Sequence, residues 1–577
     1  MNIIDLIVIV AYLALMVGVG FIFKSFNKDI SDYFRGGCRG TWWLVGMSAF
    51  MNSFSAWTFT GAAGVAFQSG WSVAIIFIAN SLGFFLNFIC FAPWFRQLRA
   101  TTAPEVIRKR FGPATQQFYA WATLPLGILY SSLHLYGLAI FSSAVFGFPV
   151  EAVIIIIGLV VLAYSTSGGS WAVMATDFLQ SLILFPITVI LACLCLRELG
   201  GWGEFLQAIH LEGLENKFSM INSYGEFAAA AFTWGWASAI IFKNIITANT
   251  MQNAVRYFSA KDGWEARKAA LLATVLTLFG SFFWFIPPMT GRLLYADQIN
   301  AVDISKPAEA AYAITSLNLL PTGMIGLVVV AMLTATMSSM DSGLNRNAAI
   351  FIKDILPALR RRFRKAQIND NRLLLGQSQR ISLIFGLIII TLAFWFSQQS
   401  GVGIFEIMLN IGSYLAIPMA IPLLLGLLMK RVPSWAALAG IGLGATSSIS
   451  LVLIKSFTDI DLNFQQTLFT TTSCSATGFI LSSLAWHTTS AAYHQQVKDF
   501  FNEMFKPVDF ENEVGGANDL RQLILIGTLA TTIGALILPL LIYSRNHTDQ
   551  IATLTIAATL ISTGLAMVYL GKKSLPK

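Results

Sequence analysis

Long apolar runs recur along the whole chain and are separated by short polar segments. Most of these runs are long enough to cross a hydrocarbon layer roughly 30 Å thick. The pattern predicts an all-α polytopic membrane protein with about fifteen transmembrane helices. Numbered in chain order, the predicted spans are 3–23, 42–67, 71–95, 118–146, 150–164, 171–196, 227–248, 269–293, 322–352, 381–396, 405–428, 435–454, 468–486, 523–543 and 551–570.

Composition supports a membrane location and argues against an enzyme. Hydrophobic residues make up 56% of the chain and charged residues 11%, and the mean hydropathy is +0.68. In soluble domains about a quarter of the residues are charged. The sequence has no phosphate-binding loop, zinc-ligand spacing or nucleophile elbow, and no polar segment is long enough for a catalytic domain. We therefore expect neither enzymatic activity nor a cofactor.

The basic residues are concentrated in alternate loops. With the N-terminus outside, the segments that face the cytoplasm hold 29 of the 37 Lys and Arg residues, and the outer segments hold 6. Because cytoplasmic loops carry the basic excess, we predict an outside N-terminus, a cytoplasmic C-terminus and a location in the plasma (inner) membrane. The net charge of +8 then reflects orientation in the lipid bilayer, and we expect no nucleic-acid partner.

A stripe of small and hydroxyl-bearing residues lies within predicted span 9. At about 100° per residue, Ala335, Ser338, Ser339 and Ser342 fall on one face of a helix. Unpaired polar groups are costly in hydrocarbon. The stripe therefore either packs against another helix or lines a site for something polar.

Two further spans carry polar clusters near mid-span, five helices apart. Span 2 holds Ser48, Asn52, Ser53, Ser55 and Thr58, and span 7 holds Thr247, Asn249, Thr250, Gln252 and Asn253. Polar side chains compete with the helix for backbone hydrogen bonds, so we predict a break in both spans. An unwound turn offers carbonyl oxygens to a hard cation. Broken helices at matching places in two five-helix halves are typical of inverted-repeat transporters.

The chain resembles the sodium:solute symporter family, and the likeness extends over residues 2–455. Its motifs here are Gly168-Gly169 followed by Ala172-Val173, Thr176-Asp177 and Gln180; Ala335-x-x-Ser338-Ser339-x-Asp341-Ser342-x-x-Asn345; and Pro422-Leu423-Leu424-Leu425-Gly426 with Lys430-Arg431 and Trp435-Ala436-Ala437. The resemblance implies a LeuT-type core of two inverted five-helix repeats.

The same resemblance suggests a division of the chain into four regions. Residues 1–41 form the first transmembrane helix and a loop, and residues 42–224 form the first repeat with an outer loop. Residues 225–456 form the second repeat, and residues 457–577 form accessory helices. Within the accessory region, Val497, Phe500, Phe501, Met504 and Phe505 recur at helical spacing, which predicts an amphipathic helix lying in the membrane interface.

The resemblance implies a Na⁺ site between spans 2 and 9. Matched residue by residue, the expected ligands are the carbonyl oxygens of Met51, Phe54 and Ala335 and the hydroxyls of Ser338 and Ser339. Some family members are thought to hold a second Na⁺, for which the matching positions are Asp177, Asp341 and Ser342. Alternatively, Asp177 pairs with Arg346 or caps a helix.

By the same analogy the solute site lies near mid-bilayer, between spans 2, 3, 4, 7 and 11. The candidates for solute binding are Ser53, Ser55, Thr58, Asn80, His134, Asn249, Thr250 and Asn253. The hydroxyl pattern resembles that of sialic-acid-type members, but their span 4 Arg is replaced here by Gly127 or Ile128. The Glu and Gln of galactose-type members appear as Phe77 and Thr58. His134 also fits a packing role, and Lys243 either faces the site or reaches toward the outer surface.

The expected function is Na⁺-coupled symport of a small polar organic solute, such as a sugar or a sugar acid, by alternating access. Na⁺ is the coupling ion. The alternative is a solute sensor that keeps the transporter fold.

Overall fold

The computed structural model describes residues 3–24, 26, 29–302, 304, 306–320, 323–364, 366, 370–399, 411–458, 462–516, 519–543 and 547–573. Over these residues the chain forms helices and connecting segments, with no β-strand. The predicted all-α class is therefore confirmed.

The first half of the chain, up to the long loop at the end of the first repeat, forms eleven α-helices among the described residues. They are α1 (Ile3–Lys24), α2 (Ile30–Arg35), α3 (Trp42–Asn52), α4 (Ala56–Phe59), α5 (Gly61–Ser69), α6 (Ala74–Leu86), α7 (Ala92–Gln97), α8 (Ala103–Phe111), α9 (Pro113–Phe146), α10 (Val150–Glu198) and α11 (Trp202–Leu211). Shorter 3₁₀ or π segments lie at Gly36–Cys38, Gly70–Val73 and Asn87–Phe91.

The second repeat forms a further set of helices. They are α12 (Trp234–Ala248), α13 (Val255–Phe258), α14 (Gly263–Phe283), α15 (Ile286–Leu294), α16 (Ala296–Asn300), α17 (Ala311–Leu319), α18 (Met324–Ile350), α19 (Leu356–Arg362), α20 (Asn371–Ser397), α21 (Ile417–Leu428) and α22 (Ala436–Phe457). Its 3₁₀ or π segments are Ala228–Ala230, Pro307–Ala310, Phe351–Ile355 and Gly412–Ala416. The start of predicted span 11, residues 405–410, lies outside the described residues.

The accessory region contains α23 (Phe464–Ser482), α24 (Ala491–Phe505), α25 (Phe510–Glu513), α26 (Asp519–Ile537) and α27 (His547–Lys573), with 3₁₀ segments at Ser483–Thr488 and Leu538–Tyr543. Among the described residues, ten helical stretches are long and apolar enough to cross a membrane, and Val150–Ala163 and Tyr414–Leu428 are shorter apolar helices. The total of fifteen spans stays a prediction, because several spans are broken or short.

Both predicted helix breaks are present. The α3 helix ends at Asn52, and α4 begins at Ala56 after three residues outside the helix. In the second repeat, α12 ends at Ala248 and α13 begins at Val255. The α10 helix is bent at Gly169, whose φ of 60° and ψ of −161° are readily adopted only by glycine. This bend separates predicted spans 5 and 6.

Two groups of helices form the core around these breaks. One group, which we call the bundle, consists of α3, α14, α6 and α12, each packed on the next in this order. The second group, which we call the scaffold, consists of α9, α10, α18 and α20. The α1 helix packs on α10 and α18 of the scaffold, and the pairs α22–α23 and α26–α27 lie outside the core. Because α3 and α13 also touch the scaffold side chains described below, the helix breaks lie where the two groups meet.

The Lys- and Arg-rich segments lie together at one end of the molecule, which we call the basic end. There Lys109 contacts Glu503 at 2.9 Å, and Thr102 donates a hydrogen bond to Asp354 at 2.8 Å. At the other end, Ser72 donates a hydrogen bond to the carbonyl oxygen of Ser219 at 2.8 Å. The basic loops thus come together in space as their alternation in sequence predicts.

The α24 helix forms at the predicted amphipathic segment, but its apolar face contacts protein. Val497, Phe500, Phe501 and Met504 are buried in the main hydrophobic core cluster, and the helix packs on α7 and α8. Phe505 remains about half exposed. The face that was predicted to enter the lipid interface therefore docks α24 onto the basic end of the core.

Candidate functional site

The break between α3 and α4 faces the hydroxyl stripe of α18. The Ser339 hydroxyl is hydrogen-bonded to the Phe54 carbonyl oxygen at 3.1 Å and to the Ala335 carbonyl oxygen at 3.3 Å. Phe54 and Ala335 are fully or almost fully buried, and Ser339 is 6% exposed. The structure thus brings together three of the five residues predicted to bind Na⁺.

The other two predicted ligands belong to the same two elements. The Met51 carbonyl oxygen, at the end of α3, accepts a hydrogen bond from the Phe54 N–H at 3.2 Å. The Ser338 hydroxyl is fully buried and faces the Asp177 carboxylate. It makes no hydrogen bond of normal length to a described residue. A buried hydroxyl without a partner costs free energy unless something polar binds it. Hydroxyl and carbonyl oxygens suit a hard cation, so this donor set fits Na⁺.

Asp177 lies beside the same site and is completely buried. Its carboxylate accepts a short hydrogen bond from Ser48 on α3, and one carboxylate oxygen lies 4.0 Å from the Arg256 guanidinium on α13. Arg256 also donates a short hydrogen bond to Ser342 on α18. The residue that pairs with Asp177 is therefore Arg256, where the sequence had suggested Arg346.

This pairing bears on the predicted second Na⁺ site. Asp177 and Ser342, two of its three expected ligands, are held by the same guanidinium group. The second carboxylate oxygen of Asp177 is buried and without a hydrogen bond to a described residue. The side chain of Asp341, the third expected ligand, lies outside the described residues. The second Na⁺ site stays a prediction.

Three cavities adjoin the helix breaks. The first is lined at its outer edge by Phe34 and by residues 101–103 of the basic end, and the second has a volume of about 260 Å³. The third is about 290 Å³ and lies between α9, α12, α18 and α21. Asn253 lines all three, so the break between α12 and α13 forms part of the wall of each cavity.

The predicted solute residues divide into two sets around these cavities. Four of them line at least one cavity: Ser53, Asn80, Thr250 and Asn253. The other four line none of the three: Ser55, Thr58, His134 and Asn249. The Asn249 side chain instead donates hydrogen bonds to the carbonyl oxygens of Ile245 and Gly83 at 2.7 and 3.2 Å, which braces the end of α12 against α6.

An aromatic cluster packs around Phe54, which lies in the break between α3 and α4. The Trp284 ring lies 4.3 Å from the Phe54 ring and 5.4 Å from the Phe77 ring, measured between centroids. Phe59 continues the cluster with contacts to Phe54 at 5.1 Å and to Tyr312 at 4.8 Å. All five side chains are at most 2% exposed. The cluster is therefore closely packed and inaccessible to solvent in this conformation.

Several cavity residues were not selected from the sequence. Arg256 was counted with the basic loop that follows it, and Arg346 was considered as a partner of Asp177 rather than as a cavity residue. Gln252, which was noted in the polar cluster of span 7, donates a hydrogen bond to Thr123 of α9 at 2.9 Å and so links the second break to the scaffold. Polar residues placed directly after a predicted break are the signal that identifies Gln252 and Arg256.

Comparison of the sequence with known proteins identifies the family of this chain. The sequence model of the sodium:solute symporter family matches residues 33–444. The chain is 27% identical over 500 residues to sodium/glucose cotransporter 1 of Mus musculus, covering 79% of this chain and 72% of that protein. It is 27% identical over 486 residues to sodium/myo-inositol cotransporter 2 of Bos taurus, covering 76% of this chain and 68% of that protein.

Solved structures support the fold assignment. A substrate-bound, outward-open Na⁺-coupled sialic acid symporter superposes with a TM-score of 0.73, at 22% identity, over 85% of this chain and 98% of that one. A nucleobase-cation-symport-1 family transporter in a closed conformation superposes with a TM-score of 0.52, at 13% identity, over 81% of this chain and 98% of that one. The predicted LeuT-type fold is confirmed by these likenesses.

Proposed function

Since the chain belongs to the sodium:solute symporter family, and is thus a sodium-coupled symporter of a small polar organic solute, we propose that its solute is a sugar or a sugar acid. The relatives named above carry glucose or myo-inositol in their names, and the structural relative carries sialic acid. Polar amide and hydroxyl side chains line the cavities beside the helix breaks, as a solute with several hydroxyls requires.

The contact between Ser339 and Phe54 is the observation that carries the coupling mechanism. Phe54 belongs to the broken helix of the bundle, whereas Ser339 and Ala335 belong to the scaffold. A cation held by oxygens from both groups would hold them together, and release of the cation would let them separate. Na⁺ binding and movement of the bundle are coupled in this way because the ligands come from both moving parts.

Solute and ion act on the same pair of helix groups. The third cavity is bounded by α12 of the bundle and by α9 and α18 of the scaffold. A solute bound there contacts both groups, as the ion does. We propose that Thr250 and Asn253 of this cavity bind the solute together with Ser53 and Asn80 of the second cavity, with which it shares Asn253. We further propose that the structure corresponds to an inward-facing state with the aromatic cluster closed toward the outside.

The orientation proposed for the membrane places the basic end in the cytoplasm. Ten candidate spans among the described residues support an integral membrane location. The positive-inside rule then puts the N-terminus outside and the C-terminus inside the plasma membrane. The variants Tyr224→Cys and Phe363→Cys test this orientation in a background in which the five native cysteines are replaced. Tyr224 is 85% exposed at the opposite end, and Phe363 is 68% exposed at the basic end. In intact cells a membrane-impermeant maleimide should label only the first.

The function is tested with the purified full-length protein in proteoliposomes. Uptake of ²²Na⁺ is measured with and without an external panel of neutral sugars, inositols, sugar acids and amino acids. We expect a sugar or a sugar acid to stimulate ²²Na⁺ uptake, and an inward Na⁺ gradient to concentrate the same labelled solute. Stimulation by an amino acid alone contradicts the proposed solute class. Na⁺ uptake that no solute changes contradicts coupling.

A further inference from the structure

The third cavity is lined by two basic side chains. Lys243 of α12 and Arg346 of α18 reach it from the bundle and from the scaffold respectively. The other lining residues are polar or apolar, and no Asp or Glu lines this cavity among the residues that the structure describes. The cavity is therefore electropositive, which a neutral sugar does not require.

The backbone opposite Lys243 leaves room for its side chain. A Cβ atom added at Gly412 would lie 2.8 Å from the Lys243 Cε atom and 3.0 Å from its Nζ atom. The ammonium group thus lies against the backbone of the π segment Gly412–Ala416, beside the cavity. Lys243 forms no ion pair with an acidic side chain in the described part of the chain.

Arg346 is similarly available for a ligand. Its Nε atom is buried and makes no hydrogen bond to a described residue. The neighbouring Arg256 is already engaged by Asp177 and Ser342. Among the residues that the structure describes, the three cations Lys243, Arg256 and Arg346 lie around the cavities, and the Asp177 carboxylate is paired with Arg256.

Isolated cations in a partly dehydrated cavity carry a large desolvation cost, which an anion bound beside them offsets. We infer that the solute is an organic anion, a polyol that carries one carboxylate, and that Lys243 and Arg346 bind this carboxylate. Thr247, Gln252 and Asn253, which line the same cavity, face the hydroxyl groups. The inference rests on the proposed function and narrows its solute class to a sugar acid.

The test compares three probes that differ mainly at one position of the ring: D-glucuronate, its neutral methyl ester and D-glucose. Glucose 6-phosphate is a fourth probe and the second anion. Each is added to proteoliposomes that contain the full-length protein, and ²²Na⁺ uptake is recorded. We expect glucuronate to stimulate uptake at least tenfold more efficiently than the ester or glucose. Preference for the phosphate over glucuronate overturns the carboxylate assignment.

Two variants connect the preference to the cavity. Lys243→Gln should raise the KM for glucuronate at least tenfold and abolish the preference over the ester, whereas Lys243→Arg should retain it. Arg346→Gln should act in the same direction. Lys217→Gln, in the exposed loop after α11, is the matched control and should leave the preference unchanged. Size-exclusion profiles in detergent identify variants that fail to fold. If Lys243→Gln fails to fold, the Lys243→Arg protein still tests the site, because it should keep the preference for glucuronate over the ester.

The outcomes separate this inference from the proposed function. If glucose or an inositol drives ²²Na⁺ uptake as well as glucuronate does, or if Lys243→Gln leaves the glucuronate KM unchanged, the anion site is wrong and symport stands. If no sugar, inositol or sugar acid drives ²²Na⁺ uptake, the proposed function itself is wrong.

Discussion

The Ser339 hydroxyl lies 3.1 Å from the carbonyl oxygen of Phe54 and is hydrogen-bonded to it, so one contact joins the scaffold to the break in the first bundle helix. The same hydroxyl lies 3.3 Å from the Ala335 carbonyl oxygen. Three oxygens from two helix groups therefore meet at a buried point. We propose that a dehydrated cation binds at that point, and that its position between the groups lets binding control their separation.

The first prediction concerns these hydroxyls. The double substitution Ser338→Ala and Ser339→Ala removes two of the five proposed Na⁺ ligands, and we expect the apparent Na⁺ affinity for solute uptake to fall at least tenfold, or about 1.4 kcal/mol. The measurement is the Na⁺ concentration that gives half-maximal uptake. Thr334→Ala is the control, because the Thr334 hydroxyl is buried in the same helix but donates only to its own backbone at Ala331. Wild-type Na⁺ dependence in the double variant would show that the site lies elsewhere.

The second prediction concerns the buried pair of Asp177 and Arg256. Removing one partner of such a pair leaves the other charge buried and costs about 3–5 kcal/mol. Asp177→Asn should therefore lower the thermal stability in detergent markedly, as should Arg256→Gln. The double variant should lose less than the sum of the two single effects, since it leaves no unpaired charge.

The same variants address the second Na⁺ site. If Asp177 binds an ion during transport, the Hill slope for Na⁺ should exceed one in the wild type and fall to one in Asp177→Asn. A slope of one in both proteins assigns Asp177 to the ion pair with Arg256 alone. Strictly additive losses in the stability measurements would contradict the pairing itself.

The sequence was sufficient to predict the breaks and the hydroxyl stripe, because both are local. Polar residues at Ser53 and Asn253 compete with helical hydrogen bonds within a few residues of themselves, and helical spacing alone places Ser338 and Ser339 on one face. The partner of Asp177 could not be predicted in this way. Arg256 precedes a basic loop that the positive-inside rule fully explains, and nothing local indicates that its side chain turns back to α10 and α18.

For Lys243 and the amphipathic segment, too, the sequence does not identify the contact partner. From sequence alone, a lysine in a span is equally consistent with snorkelling to the membrane surface and with lining a cavity. The structure distinguishes the two, because the Lys243 side chain packs against the backbone at Gly412 beside the third cavity. The apolar face of α24 could enter lipid or cover protein, since the hydrophobic effect does not distinguish the two partners. Contacts with α7 and α8 decide that it covers protein.

The third prediction concerns the solute. Asn253 lines all three cavities, so Asn253→Ala should raise the solute KM about tenfold, because a solute hydroxyl left unpaired costs about 1–3 kcal/mol. Thr58→Ala is the informative comparison. Thr58 was predicted from the sequence to bind solute but lies outside these cavities, so its KM should change less than threefold. The Na⁺ affinity measured without solute should remain near wild type in both. A larger effect at Thr58 than at Asn253 would place the solute on the other side of the break.

The last prediction concerns the contact that holds the accessory segment on the core. Arg99 contacts both carboxylate oxygens of Glu513 at 2.6 and 2.7 Å, and this pairing lowers the pKa of Glu513 to about 2 from an ordinary value of 4.5. A carboxyl whose pKa is depressed in the folded state stabilises that state above its unfolded pKa and loses the contribution as the pH falls. The contact should therefore be complete above about pH 4.5 and weaken progressively toward pH 2.

Because both side chains are partly exposed, solvent screening limits the contribution to about 1 kcal/mol or less. We expect Glu513→Gln to increase hydrogen exchange in residues 506–516 at pH 6 by up to about fivefold. On acidification, hydrogen exchange in these residues should rise less in this variant than in the wild type, because the variant has already lost the ion pair. Glu511→Gln, at an exposed position of the same short helix, is the control. Equal exchange in the two variants at pH 6 would mean that Arg99 does not fasten α25, and that Lys109 and the buried face of α24 hold the segment without it.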